Sequence, residues 1–103
     1  MALYISTSTP NALLKLIKKA IDDKEIDTWE YDKDGDFTHT PTQWRGKAWL
    51  RPQVKPKILQ FNVIENKKIT LTKEINGVYH GRFIEMLLAH FEAKFSNVSA
   101  PNQ

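Results

Sequence analysis

Asp32, Asp34 and Asp36 alternate around Gly35 in the stretch WEYDKDGDFTH (residues 29–39), and carboxylates at that spacing could hold a cation. A calcium loop of the EF-hand kind needs oxygen ligands at its first, third and fifth positions, glycine at the sixth and a bidentate glutamate at the twelfth. Counted from Asp32, the first three requirements are met, but the sixth position is Phe37 and the twelfth is Gln43. The flanks also read as strands, so no dedicated metal site is expected here.

A hairpin turn explains the same residues better. A two-residue loop at Asp34-Gly35 would split the flanking aromatics between two faces. The three-residue loop Lys33-Asp34-Gly35 sets Tyr31 opposite Phe37 and Trp29 opposite His39, with glycine at the left-handed position that such loops need. Its cost is Asp32 facing Asp36, a like-charge pair that Lys33, an incidental cation or a basic partner could relieve.

The three histidines, His39, His80 and His90, are the other candidates for chemistry. Two imidazoles, or a His–Glu pair such as His39 with Glu85, could give and take the protons of RNA cleavage. Nothing in their spacing singles this out. The chain has no cysteine, which excludes disulfides and thiolate chemistry, and its four scattered glycines cannot form a phosphate-cradling loop. No cofactor is expected.

The stretch QWRGKAWLRPQVKPK (residues 43–57) interleaves Trp44 and Trp49 with Arg45, Lys47, Arg51, Lys55 and Lys57. Aromatic side chains on such a segment can stack unpaired bases while the cations meet phosphates. Residues 22–36 instead carry eight acids against Lys24 and Lys33, so the net charge of +3 hides a strong asymmetry. That polarity could steer a charged partner, or the two segments could neutralise each other inside the fold.

These residues must be positioned by the elements around them. Residues 3–6 read as a strand, and Thr9-Pro10 opens a helix to about residue 21 with Leu13, Leu14, Ile17 and Ile21 as its buried stripe. Period-two alternation then predicts strands over 26–32, 36–40 and 43–51. Residues 51–57 read as a proline-marked connection or edge, and 58–64 with 69–72 as a hairpin across the turn ENKK. Asn76-Gly77 marks the start of a last helix to about Phe95, its stripe being Phe83, Ile84, Leu87, Leu88, Phe91 and Phe95. The fold class is α+β: a largely antiparallel twisted sheet of about five strands with both helices on one face. Residues 1–95 form the single domain and 96–103 a flexible tail.

No segment is apolar enough for a membrane span, and no signal-peptide pattern opens the chain, so a cytoplasmic location is expected. Regular alternation cannot put Trp44 and Trp49 on one face, and helices are available for only one side of the sheet. The expected function is therefore non-enzymatic binding of a macromolecular partner through an open aromatic and basic sheet face. That face would be made by Trp29, Tyr31, His39, Arg45, Lys47, Trp49 and Arg51. Single-stranded nucleic acid is one partner class. The alternatives are an inhibitor, antitoxin-like or immunity-like module, or a homodimer, using the acidic 22–36 segment. A small histidine-dependent nuclease stands third.

Overall fold

Thr7 and Pro10 turn the first strand into the first helix. In the computed structural model, which describes residues 2–101, β1 (Ala2–Ser6) is followed by α1 (Pro10–Asp22). Pro10 stands in the first turn, where its missing N–H is a donor no helix would pair anyway. The side-chain cap expected from Thr9 is not made; the Thr7 hydroxyl accepts the Thr9 N–H instead. Leu13, Ile17 and Ala20 are fully buried, with Leu14 and Ile21 packed partly against them. At the far end Asp23 pairs with Lys19 one turn back, at 2.6 Å.

β2 (Trp29–Tyr31) and β3 (Phe37–His39) form the hairpin that Gly35 implies. Trp29 faces His39, Tyr31 faces Phe37, and Gly35 has φ +83°. The Asp32 carboxylate accepts the N–H groups of Asp34 and Asp36, which closes the loop locally.

The next hairpin departs from expectation. β4 (Ala48–Lys55) and β5 (Ile58–Glu65) pair along eight positions, from Ala48 opposite Glu65 to Lys55 opposite Ile58. Residues 51–57 are thus mostly strand, and Pro56-Lys57 is the turn, with Lys57 at φ +59°. Pro52 is tolerated because β3 meets β4 only at Phe37 and Leu50, leaving no ladder beyond for proline to break. Residues 43–47, expected as the start of a strand, wrap into a turn in which the Trp44 and Arg45 N–H groups both donate to the Pro41 carbonyl. The segment 69–72 pairs with no strand; Ile69 and Leu71 pack on the core as the chain crosses to the last helix.

That helix, α2 (Lys73–Phe91), starts before Asn76-Gly77 because the Thr72 side chain caps it, accepting the Ile75 N–H at 3.1 Å. A short 3₁₀ turn, Glu92–Lys94, ends it. Residues 97–99, expected as tail, form β6 (Asn97–Ser99), which pairs with β1. The result is one six-stranded antiparallel sheet in the order β2-β3-β4-β5-β1-β6.

Both helices lie on one face of it. Leu3, Ile5, Trp29, Phe37, Leu50, Leu59 and Phe61 of the strands meet Leu13 and Ile17 of α1 and Tyr79, Phe83 and Leu87 of α2. Phe83 stands at its centre, with its ring 4.6 Å from Phe61, 5.0 Å from Trp29 and 6.0 Å from Phe37. The Trp29 and Phe37 contacts are edge-to-face, and such pairs add about 0.5–1.5 kcal/mol each beyond the burial itself.

Candidate functional site

Alternation along the strands sorts the seven candidate residues, and they do not share a face. Trp29 and His39 lie beneath α2 in the core, their rings 4.6 Å apart. Tyr31 turns to the same side and is covered by α1: its hydroxyl donates to Asp22, and the Lys18 ammonium lies 5.4 Å from its ring centre. The hairpin register does gather these aromatics, but onto the face that the helices occupy. An aromatic set in register is as good a core as it is a binding surface, and α2 supplies the apolar partners.

Arg45 and Lys47 leave the sheet altogether, because the 42–47 turn carries them. Arg45 reaches Glu30 at 3.4 Å, and Lys47 borders a hollow with Trp44, Thr72 and Glu74 at the start of α2. The turn itself is held from within. Tyr79 donates its hydroxyl proton to the Trp44 carbonyl, Thr38 accepts the Gly46 N–H, and Asn66 donates to the Gly46 carbonyl. Gly46, at φ +69°, takes the left-handed conformation that this path requires.

Only Trp49 and Arg51 remain on the helix-free face. Arg51 is bound there by Asp36 through two parallel hydrogen bonds of 2.9 and 2.7 Å. Those bonds raise the guanidinium further above its already high pKa. Asp36 is 5% exposed, so this fork relieves the carboxylate repulsion at the hairpin without a metal. Among the described residues no three His, Cys, Asp or Glu side chains gather closely enough to hold a metal ion.

Around Trp49 the helix-free face is mixed. Trp49 pairs across the strands with Ile64, Arg51 with Asn62, and Gln53 with Gln60, which is flanked on its other side by Tyr4. Gln60 is only 8% exposed although no helix covers it. Its amide nitrogen donates to Asn62, and among the described residues its amide oxygen has no partner.

A second constellation lies on the other side of the molecule. A cavity of about 350 Å³ opens between the 41–44 turn and α2, lined by Thr28, His39, Gln43, Arg82, Glu85 and His90 among others. The His39 Nδ1 lies 2.7 Å from the Thr28 carbonyl. Burial is the largest influence on His39 and lowers its pKa, against the Thr28 hydrogen bond; Arg82 lowers it and Glu85 raises it by less. His80, by contrast, bonds the Asn76 carbonyl one turn back in its own helix and lies outside this cavity. The His39–Glu85 pairing considered from the sequence is thus brought to one cleft. Arg82 was missed, and a helical stripe at 82, 85, 86, 89 and 90 was the signal that could have found it.

Comparison of the chain with protein-family models, with curated proteins and with solved structures gave no match.

Proposed function

We propose that the protein is a small non-enzymatic binding module that docks another protein on the helix-free face of its sheet. One observation carries this reading. The face holds Tyr4, Trp49 and Ile64, all half-buried, around an interior amide, Gln60, whose oxygen has no partner among the described residues. An orphaned buried acceptor costs roughly 1–3 kcal/mol. A second chain that brings apolar side chains to Trp49 and Ile64, and an N–H donor near Gln60, would offset that cost. Tryptophan and tyrosine on a rigid platform suit such an anchor, since both offer large area with few rotatable bonds.

A protein is preferred over nucleic acid because the two arginines of the basic segment are already engaged. Arg45 pairs with Glu30 and Arg51 with Asp36, so the basic 45–57 segment does not stand free of the acidic one. Single-stranded nucleic acid is the second reading, favoured by Trp49 lying on the helix-free face where a base could stack on it.

The test compares the wild type with Trp49→Ser, both cross-linked in cell extract and analysed by mass spectrometry. The expected result is a protein cross-linked through Lys55, beside the face, in the wild type and lost in the variant. Equal capture by both removes the reading. A short single-stranded oligonucleotide titrated at two salt concentrations separates the alternatives, because affinity that falls steeply with salt belongs to nucleic acid.

A further inference from the structure

The cavity at the other side of the molecule has the parts of an oxyanion site. Residues 82, 85, 86, 89 and 90 recur at helical spacing, so Arg82, Glu85, Met86, Ala89 and His90 form one stripe of α2 that lines it. Thr28 and His39 face that stripe from β3 and the approach to β2, and Pro41, Gln43 and Trp44 close the side. The closing turn is pre-set by the Tyr79, Thr38 and Asn66 hydrogen bonds to its backbone.

Chemistry fixes the state of the histidine. A carbonyl oxygen can only accept, so the His39 nitrogen against Thr28 is the one that bears the proton. In the neutral ring the lone pair then belongs to Nε2. Among the described residues that atom has no hydrogen-bond partner, and it is not one of the unpartnered polar atoms sealed from solvent, so it opens to the cavity. Burial favours this neutral form.

Arg82 and Glu85 complete the set. They touch at 3.3 Å through one guanidinium nitrogen and remain more than half exposed, which leaves most of the five guanidinium N–H donors free. The site therefore offers a cation rich in donors beside two acceptors, Nε2 of His39 and the Glu85 carboxylate. A metal does not suit it, since no three metal-ligating side chains converge among the described residues.

We propose that this cleft binds a protonated oxyanion, a phosphate monoester. The anionic oxygens meet Arg82, and the remaining P–OH donates to Nε2 of His39. Pro41, Trp44, Met86 and Ala89 give the organic substituent an apolar wall, and the cavity volume of about 350 Å³ exceeds what a bare phosphate fills. Glu85 is already matched by Arg82, so the acceptor left for the ligand is Nε2 of His39, and an acceptor in a site for an anion makes sense only if the anion carries a proton. Sulfate, which carries none near neutral pH, leaves Nε2 facing a bare negative oxygen and is rejected. This site is separate from the helix-free sheet face, and either can fail without the other.

The experiment titrates the full chain at pH 6 with phenyl phosphate, inorganic phosphate and sulfate, read by nitrogen chemical shifts of the histidine rings. Phenyl phosphate is expected to bind at least about tenfold more tightly than sulfate, a gap of about 1.4 kcal/mol, and to move the His39 Nε2 resonance. Tighter binding of phenyl phosphate than of inorganic phosphate assigns the site to monoesters; equal binding assigns it to free phosphate. Arg82→Ala, at an exposed position that leaves the core intact, should weaken binding at least about tenfold. His39→Phe keeps a ring against Trp29 and should erase the preference over sulfate. If that variant does not fold, the wild-type Nε2 shift still decides. Equal binding of phosphate and sulfate, an unmoved Nε2 resonance, or unchanged binding by Arg82→Ala overturns the proposal.

Discussion

The two faces of the sheet are made by alternate residues of the same strands, yet they are built differently. On the covered face, Trp29, Phe37, Leu50, Leu59 and Phe61 meet two helices and shed their water completely. On the helix-free face, Tyr4, Trp49, Arg51, Gln60, Asn62 and Ile64 mix aromatic, amide and charged groups, and the oxygen of one amide, Gln60, has no partner among the described residues. The covered face holds its residues by packing; the other holds them by cross-strand pairs and the Arg51–Asp36 fork. Under the docking proposal the covered face carries stability and the helix-free face the partner, so a change on one side need not trouble the other.

That separation can be broken most severely at Phe83. Phe83→Ala empties the meeting point of four aromatic rings and should cost about 3–5 kcal/mol in urea unfolding. A loss below about 1 kcal/mol would show that the covered face is not the seat of stability. Gly35→Ala acts on the hairpin that sets the register of both faces. At φ +83° an added Cβ is strained by about 1–2 kcal/mol, measurable by the same unfolding curves.

His39 makes the covered face sensitive to acid. Its folded pKa lies below the usual 6.5, so the unfolded chain takes up the extra proton first as pH falls. The stability tied to the neutral ring is fully present above that value and is lost as pH drops through the window down to the folded pKa. Unfolding at pH 7.5 and 5.5 should show the decline, and His39→Phe should make it shallower. The smallest effect belongs to the helix-free face: Trp49→Ser should change stability by under about 1 kcal/mol while abolishing partner capture. A large loss of stability there would turn Trp49 into a structural residue and weaken the docking proposal.

Much of this was legible before any coordinates. The register of the first hairpin followed from Gly35 and the aromatics together: a two-residue loop would also give glycine a positive φ, but only the three-residue loop brings Trp29 opposite His39. The α+β class, the two helices and their common face followed from periodicity. The second hairpin was misplaced because Pro52 and Pro56 were weighted equally as breakers. A proline breaks a strand only where a neighbour needs its N–H, and that depends on where β3 stops pairing with β4. β6 was invisible for a related reason. Of Asn97, Val98 and Ser99 only Val98 favours a strand, too little to mark one, and it is the free edge of β1 that makes Asn97–Ser99 extended.

The candidate sites show where local reading ends. Residue types and spacing alone determined the turn at Gly35, the stripe of α2 and the fact that Trp44 and Trp49 cannot share a face, because each depends on neighbours a few positions apart. Which side of the hairpin the helices would cover, whether Arg51 would meet Asp36, and that His39 would face Arg82 and Glu85 across a cleft were decided only in three dimensions. Alternation says that a strand has two faces. It carries no label for the buried one, since that choice rests on the total apolar area that distant helices bring to it.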